Sequence, residues 1–217
     1  LTTAFPLVFG HGIRGAALRD LVIEGNRAAN GDTRMDGCRG GAIYFAKSRG
    51  LELTGVVERD YNGEGLSFQM CRDVLIRDCR FDGNAGNGMH PGAGSTGARF
   101  AACACAGNAM AGFFFCVRAT RITVSGCEFT ANAGPGISIG TRDCHNLIVQ
   151  CTIRGNGGPG ILCRKMPCPT EVHSCRLEDN LLAENAHASG TAEIEVLIPV
   201  VDPSFYSVPF YEFIFIL

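Results

Sequence analysis

Apolar and polar residues alternate in short runs that recur along the chain about every 24 residues. One unit has a first run at residues 121–124, a second at 126–129, a turn containing Asn, and a third run at 136–140. Short alternating runs bounded by Gly and Asn are typical of β-strands. The repeat shows no helical periodicity over a window of about 11 residues. The pattern therefore predicts two or three short strands in each unit.

Four series of like residues share this register. The members are Cys79, Cys103, Cys127, Cys151 and Cys175; Phe81, Cys105, Phe129, Ile153 and Leu177; Asn84, Asn108, Asn132, Asn156 and Asn180; and Gly41, Gly65, Gly88, Gly112, Gly136 and Gly160. The interval is 24 in every case but one, which is 23 between Gly65 and Gly88. A repeat of this kind predicts stacked turns, with strands of successive turns about 4.8 Å apart.

With these ladders, the sequence resembles the right-handed parallel β-helix family, the pectate-lyase-like superfamily, over about residues 9–196. The resemblance implies an all-β, right-handed solenoid with turns of about 24 residues. It does not fix a function, because the fold carries lyases, hydrolases, epimerases and binding modules.

The chain divides into a β-helix at residues 1–196 and an apolar tail or cap at 197–217. An inserted turn at 27–37 carries Asp32, Arg34 and Asp36. The prolines and charges of the tail argue against a membrane span. The coil begins without a capping helix, and solenoids need polar caps. We therefore expect a partner or a missing segment at the N-terminal end.

The cysteine ladder is predicted to face inward, where a free thiol behaves as a small apolar side chain. The asparagine ladder is predicted to form a hydrogen-bonded stack of amides inside a turn. Cys163 and Cys168 are close enough in sequence for one disulfide, as an alternative to free thiols. No CxxC pair occurs, so no structural metal site is predicted.

Charge and cysteine content narrow the function and the location. Lys plus Arg is 19 and Asp plus Glu is 21, a formal charge of −2, which argues against a general nucleic-acid binder. Free thiols favour a reducing compartment, whereas the resemblance implies export. We predict a secreted or cell-surface protein, with the cytoplasm as the alternative.

Residues 24 apart are neighbours in a coil, so the register also predicts a site. An outward line contains Ser67, His90, Phe114, Ser138 and Leu162. One edge carries Gln69, His90, Arg118, Arg142, Asp143, Arg164 and Lys165. Stacked arginines repel each other unless an anion lies between them. This edge predicts a groove for an acidic polysaccharide, and solvated surface charge is the alternative.

In the catalytic hypothesis, His90 is base or acid, with His145 as the second candidate. Arg118 and Arg142 neutralise a uronate carboxylate, and Asp143 orients Arg142. Ser67, Gln69, Arg164 and Lys165 bind sugar. The chemistry would be β-elimination or epimerisation. The resemblance admits calcium as cofactor, but the acidic residues of the repeats are isolated.

Two other functions remain open. A glycan-binding or adhesion module without catalysis needs only the groove. A glycoside hydrolase needs two carboxylates about 5–9.5 Å apart. The regular turns offer no such pair, so the inserted turn would have to supply Asp32 or Asp36.

Overall fold

The short alternating runs fold into a parallel coil. The computed structural model describes residues 5–30, 37–140, 142–164, 175–187, 190–191 and 194–196. Three parallel sheets run along the coil, and each turn contributes one strand to each sheet. The prediction of an all-β parallel β-helix is confirmed. Predictions for Asp32, Arg34, Asp36, Lys165, Cys168 and the tail at 197–217 fall outside the described residues.

The first sheet has eight strands and the other two have seven each. The first sheet contains β1 (Val8–His11), β4 (Gly41–Ala46), β7 (Glu64–Gln69), β10 (Met89–Gly92), β13 (Phe113–Phe114), β16 (Ile137–Ile139), β19 (Ile161–Cys163) and β24 (Ile194–Val196). The second contains β2 (Ala17–Arg19), β5 (Glu52–Thr54), β8 (Leu75–Arg77), β11 (Arg99–Ala101), β14 (Thr123–Ser125), β17 (Leu147–Val149) and β20 (Arg176–Glu178). The third contains β3 (Val22–Glu24), β6 (Val57–Arg59), β9 (Arg80–Asp82), β12 (Ala104–Ala106), β15 (Glu128–Thr130), β18 (Thr152–Arg154) and β21 (Leu181–Ala183).

The remaining elements are short. The strands β22 (Ala186–His187) and β23 (Gly190–Thr191) form an antiparallel pair. Two 3₁₀ helices, Arg27–Ala29 and Gly37–Arg39, lie between β3 and β4, within the long connection that the sequence marks as an insertion. No helix in the described ranges is long and apolar enough to cross a membrane.

The interior of the coil is filled by the inward residue of each strand. Phe100, Phe113 and Phe129 are fully buried, and the ring of Phe113 makes edge-to-face contacts with the other two. Such pairs add about 0.5–1.5 kcal/mol beyond the burial of their area. Successive turns are therefore joined by side-chain packing as well as by strand pairing.

The cysteine ladder faces inward, as predicted. Cys79, Cys103, Cys127 and Cys151 are buried, and each thiol donates to a backbone carbonyl two residues earlier in the chain. All described cysteines, Cys163 among them, are free thiols. These residues act as small core side chains.

The asparagine ladder is also present, but its last member differs from the prediction. The Nδ2 groups of Asn108, Asn132 and Asn156 donate to the Oδ1 atoms of Asn132, Asn156 and Asn185 at 2.8–2.9 Å. Asn180 instead accepts from the Cys151 N–H at 3.0 Å, which places it next in the cysteine line.

The last predicted interval of 24 is therefore wrong, because the final turn is five residues longer. Leu177 pairs with Ile148 rather than with Ile153, and the thiol of Cys175 lies beside Asn146 rather than Cys151. A smaller slip occurs near the start. Gly41 pairs with Glu64, so the step to the next turn is 23 residues.

A buried carboxyl group lies at the N-terminal end of the asparagine ladder. Glu58 is fully buried at an inward position beside Phe81, and its Oε2 accepts a hydrogen bond from Asn84 at 2.9 Å. Its Oε1 is buried without a hydrogen-bond partner among the described residues. Burial raises the pKa of Glu58 well above its ordinary value of 4.5, although the hydrogen bond from Asn84 opposes this shift.

We expect Glu58→Gln to remove part of the pH dependence of stability. Because the pKa of Glu58 is raised in the folded state, its contribution to the free energy of unfolding is fully present below pH 4.5. That contribution is lost as pH rises through the folded-state pKa. The neutral amide can still accept from Asn84, so the variant should match the parent at pH 4. At pH 8 it should be more stable by about 1–3 kcal/mol. Urea unfolding at both pH values measures this, with exposed Glu128→Gln as the control. An equal effect at both pH values would contradict it.

The first turn exposes apolar side chains. Phe5, Phe9 and Val22 are 60–73% exposed. A partner at this end of the coil stays a prediction.

Candidate functional site

His90 lies at the centre of the outward line that the sequence predicts. Its neighbours in β10, Met89 and Pro91, are buried, so the alternation of the strand turns the imidazole away from the core. His90 pairs with Ser67 on one side, and its ring contacts the edge of Phe114 on the other, with centroids 4.8 Å apart. The predicted register of this line is confirmed.

The groove predicted for this edge is not open at Ser67, Gln69 and His90, because another segment covers these residues. Ser67, Gln69 and His90 are only 0–4% exposed. The carbonyl of Cys38, in the second 3₁₀ helix, accepts from Ser67 Oγ at 2.6 Å and from Gln69 Nε2 at 3.1 Å. The end of the long β3–β4 connection thus packs on the outer face of the first sheet. The sugar-binding roles predicted for Ser67 and Gln69 require an open face that this structure does not show.

The surroundings of His90 are polar and sulfur-rich. Its Nδ1 lies 3.6 Å from Oε1 of Glu64, and neither ring nitrogen makes a hydrogen bond among the described residues. The Oε2 of Glu64 accepts from the Asn87 N–H at 2.7 Å. Burial lowers the pKa of His90, but interactions with Cys116 and Glu64 raise it more, to about 9. A buried imidazole is poorly placed to act as a general base on a polymer outside the fold.

Asp143 and Arg164 are tied into the structure. Asp143 is fully buried and accepts from the N–H groups of Ala119 and Gly140 at 2.9 and 2.8 Å. Arg164 lies 3.8 Å from Asp143, stacks over the ring of Phe114 at 4.0 Å, and donates to a backbone carbonyl. Burial lowers the pKa of Arg164, and nearby Asp143 opposes this. Both residues therefore have structural contacts, and the orientation of Arg142 by Asp143 stays a prediction.

Arg118 and Arg142, in contrast, are exposed. They occupy equivalent bends between the first and second sheets, with φ angles of 67° and 62°. Left-handed backbone is unfavourable for most residues, and here it turns the chain from one sheet to the next. His145, the second histidine candidate, is exposed in the same bend as Arg142.

The equivalent bends of several turns carry exposed cations. Parallel β-bridges join the backbone of Arg49 to that of Arg14 on one side and Arg72 on the other. The three arginines therefore stand on consecutive turns about 4.8 Å apart. Each is exposed, and none forms an ion pair with another described residue. We call the cations along this bend the corner strip. Its members are Arg14, Lys47, Arg49, Arg72, Arg118, Arg121 and Arg142.

The corner strip has little acidic compensation. In the described part of these bends the acidic residues are Asp73, which is exposed, and Asp143, which is buried. Stacked cations attract a polyanion that runs along them. The strip therefore differs from the predicted basic edge: it keeps Arg118 and Arg142 but leaves out the buried Gln69 and His90.

Sequence reasoning missed Arg14, Arg49 and Arg72. The signal was present, since Arg49 and Arg72 are 23 residues apart, the same interval as Gly65 and Gly88. Counting from the repeat glycines does not align these arginines, because Gly41 pairs with Glu64 and not with Gly65.

The comparisons agree with the fold. A family model described as "Right handed beta helix region" matches residues 41–195. No curated protein sequence matches the chain. The structure is similar to the A-module of mannuronan C-5 epimerase AlgE4 from Azotobacter vinelandii, with a TM-score of 0.62 and 16% identity over 84% of this chain and 57% of that one.

Two further solved structures are similar. A periplasmic alginate epimerase, the AlgG D317A mutant, has a TM-score of 0.60 and 13% identity, over 88% of this chain and 47% of that one. An alginate lyase from Paenibacillus sp. str. FPU-7 has a TM-score of 0.54 and 10% identity, over 89% of this chain and 78% of that one. The chain spans about half the length of the two epimerases. At these identities the likeness shows the fold.

Proposed function

The chain belongs to the right-handed β-helix family, and from that premise we propose that it binds an acidic polysaccharide along the corner strip and acts on it by β-elimination or epimerisation. The observation that carries the proposal is the ladder of Arg14, Arg49 and Arg72, exposed on consecutive rungs without ion-pair partners among the described residues. A polyuronate presents one carboxylate on each sugar, so an extended chain can meet one cation after another.

The names of the similar structures suggest which polymer should be tested first. Two are alginate or mannuronan epimerases and one is an alginate lyase. Mannuronan, a polymer of a uronic acid, is therefore the first substrate of choice. A secreted or cell-surface location accords with such a polymer and is part of the proposal.

Both reactions begin with the same step. A base removes the proton beside the uronate carboxylate, and cations stabilise the negative charge that develops on that group. In β-elimination the C–O bond at C4 then breaks, the departing sugar oxygen takes up a proton from solvent, and a C=C bond forms between C4 and C5. In epimerisation a proton returns to the opposite face. Exposed Arg118 and Arg142 are the cations we assign, and exposed His145, on the same bend, replaces buried His90 as the base.

The burial of His90 favours a second candidate function. If the histidines take no part in chemistry, the corner strip alone makes a glycan-binding or adhesion module. The two functions share the binding surface and differ in turnover.

The experiment is an incubation with mannuronan in deuterated buffer, with calcium and with chelator. Absorbance of unsaturated uronate detects elimination, and NMR detects deuterium at C5 after epimerisation. We expect at least one signal, abolished in His145→Ala but kept in the control His11→Ala, an exposed histidine of β1. Binding without either signal would establish the module. The absence of both binding and turnover, on mannuronan and on other polyuronates, would contradict the proposal.

A further inference from the structure

Three side chains from separate parts of the chain converge beneath the second 3₁₀ helix. Cys38 belongs to that helix, His90 to β10, and Cys116 follows β13. One ligand atom from each lies within 4.8 Å of the others. None of the three belongs to the corner strip, and the proposed reaction uses none of them.

The separation of the two sulfur atoms fits a shared metal ion. Sγ of Cys38 lies 3.6 Å from Sγ of Cys116. With a Zn–S bond of about 2.3 Å, two thiolates of a tetrahedral site stand about 3.8 Å apart. A disulfide would need about 2.05 Å. The sulfurs are thus placed for coordination by a common ion without a large movement.

His90 supplies an independent indication. Its side chain is 4% exposed, yet neither Nδ1 nor Nε2 has a hydrogen-bond partner among the described residues. Buried polar atoms are rarely left unpaired. Glu64 Oε1 lies 3.6 Å from Nδ1, on the side where a carboxylate commonly orients a metal-binding histidine. This arrangement leaves Nε2 to bind an ion.

The ligands are held in place by their surroundings. Ser67 and Gln69 fix the carbonyl of Cys38, and the backbone N–H of Cys116 donates to the Pro91 carbonyl at 3.0 Å. His90 is fixed by the strand and by contact with Phe114. A site held in this way needs little rearrangement to bind an ion.

We propose that Cys38, His90 and Cys116 bind a zinc ion that fastens the second 3₁₀ helix to the outer face of the first sheet. Two thiolates and one imidazole suit zinc and disfavour calcium or magnesium, which take oxygen ligands. Three protein ligands leave a fourth position for solvent. The sequence predicts no such site, because its ligands are far apart and follow no metal-binding spacing.

Cobalt(II) is the probe for this site. The full chain is purified under reducing conditions, stripped with a chelator and titrated with Co²⁺ and then with Zn²⁺. We expect one equivalent to produce a thiolate-to-cobalt absorption band and the visible bands of tetrahedral cobalt, both removed by zinc. Zinc should also raise the thermal unfolding midpoint.

Variants decide whether these residues are the ligands. Cys38→Ser and Cys116→Ser should each lose the thiolate band or weaken cobalt binding more than 100-fold, and Glu64→Gln should weaken it about 10–100-fold. Cys144→Ser is the control, since this half-buried free thiol lies outside the cluster. Circular dichroism verifies that each variant is folded. The proposal is overturned if the parent shows no thiolate band, if the Cys38 and Cys116 variants behave like the control, or if these two cysteines form a disulfide.

Discussion

Replacing Asn132 by alanine is expected to lower the free energy of unfolding by about 3–5 kcal/mol. Its Oδ1 accepts from the backbone N–H and the Nδ2 of Asn108, and its Nδ2 donates to the Cys105 carbonyl and to Asn156. All of these groups are buried, so the substitution leaves at least two backbone groups without partners. Each such group costs about 1–3 kcal/mol.

Urea unfolding of the parent and the variant measures this cost. Asn180→Ala is the matched control, because Asn180 also serves one N–H and one carbonyl but is half-buried and outside the amide stack. We expect it to cost about 1–2 kcal/mol. Equal losses for the two variants would show that stacking of the amides adds nothing, contrary to this account.

Reversing two charges of the arginine ladder is expected to weaken mannuronan binding at least 100-fold. In Arg49→Glu/Arg72→Glu, two adjacent rungs change from attracting a carboxylate to repelling it. A charge-assisted hydrogen bond contributes about 1.5–3 kcal/mol, so losing two exceeds a factor of 100. Both side chains are exposed and lack ion-pair partners among the described residues, so the fold should be unaffected.

The matched control reverses two arginines elsewhere on the coil. Arg77 and Arg99 are exposed on neighbouring strands of the second sheet. Arg77→Glu/Arg99→Glu changes the total charge equally but leaves the corner strip intact. Calorimetric titration should show an affinity within about threefold of the parent, since distant exposed charges are screened. Equal weakening by both double variants would mean that total charge, rather than the strip, governs binding.

Much of the fold could be predicted because its determinants repeat. The inward cysteines and the asparagine stack recur at a constant interval, and each makes the same contacts in successive turns. The predicted register fails in the last turn because Cys175 and Asn180 keep the interval of 24 by coincidence, while the coil advances by 29. Counting residues along the sequence cannot distinguish an interval that reflects the stacking of turns from one that arises by chance.

The candidate site was harder to predict, because its environment comes from distant residues. Alternation correctly turns His90 away from the core, but solvent access depends on what lies over the sheet. Cys38, whose carbonyl binds Ser67 and Gln69, lies 78 residues before Cys116 in the chain. No spacing rule links such positions. The arginine ladder, in contrast, follows from the register once Gly41 is paired correctly with Glu64.

The most direct test of the proposed function is a titration of the protein with mannuronan and with neutral mannan at several salt concentrations. If the corner strip binds uronate carboxylates, mannuronan should bind, its affinity should fall steeply as salt rises, and mannan should not bind. Equal binding of the two polymers, or binding of mannuronan that is indifferent to salt, would contradict the account.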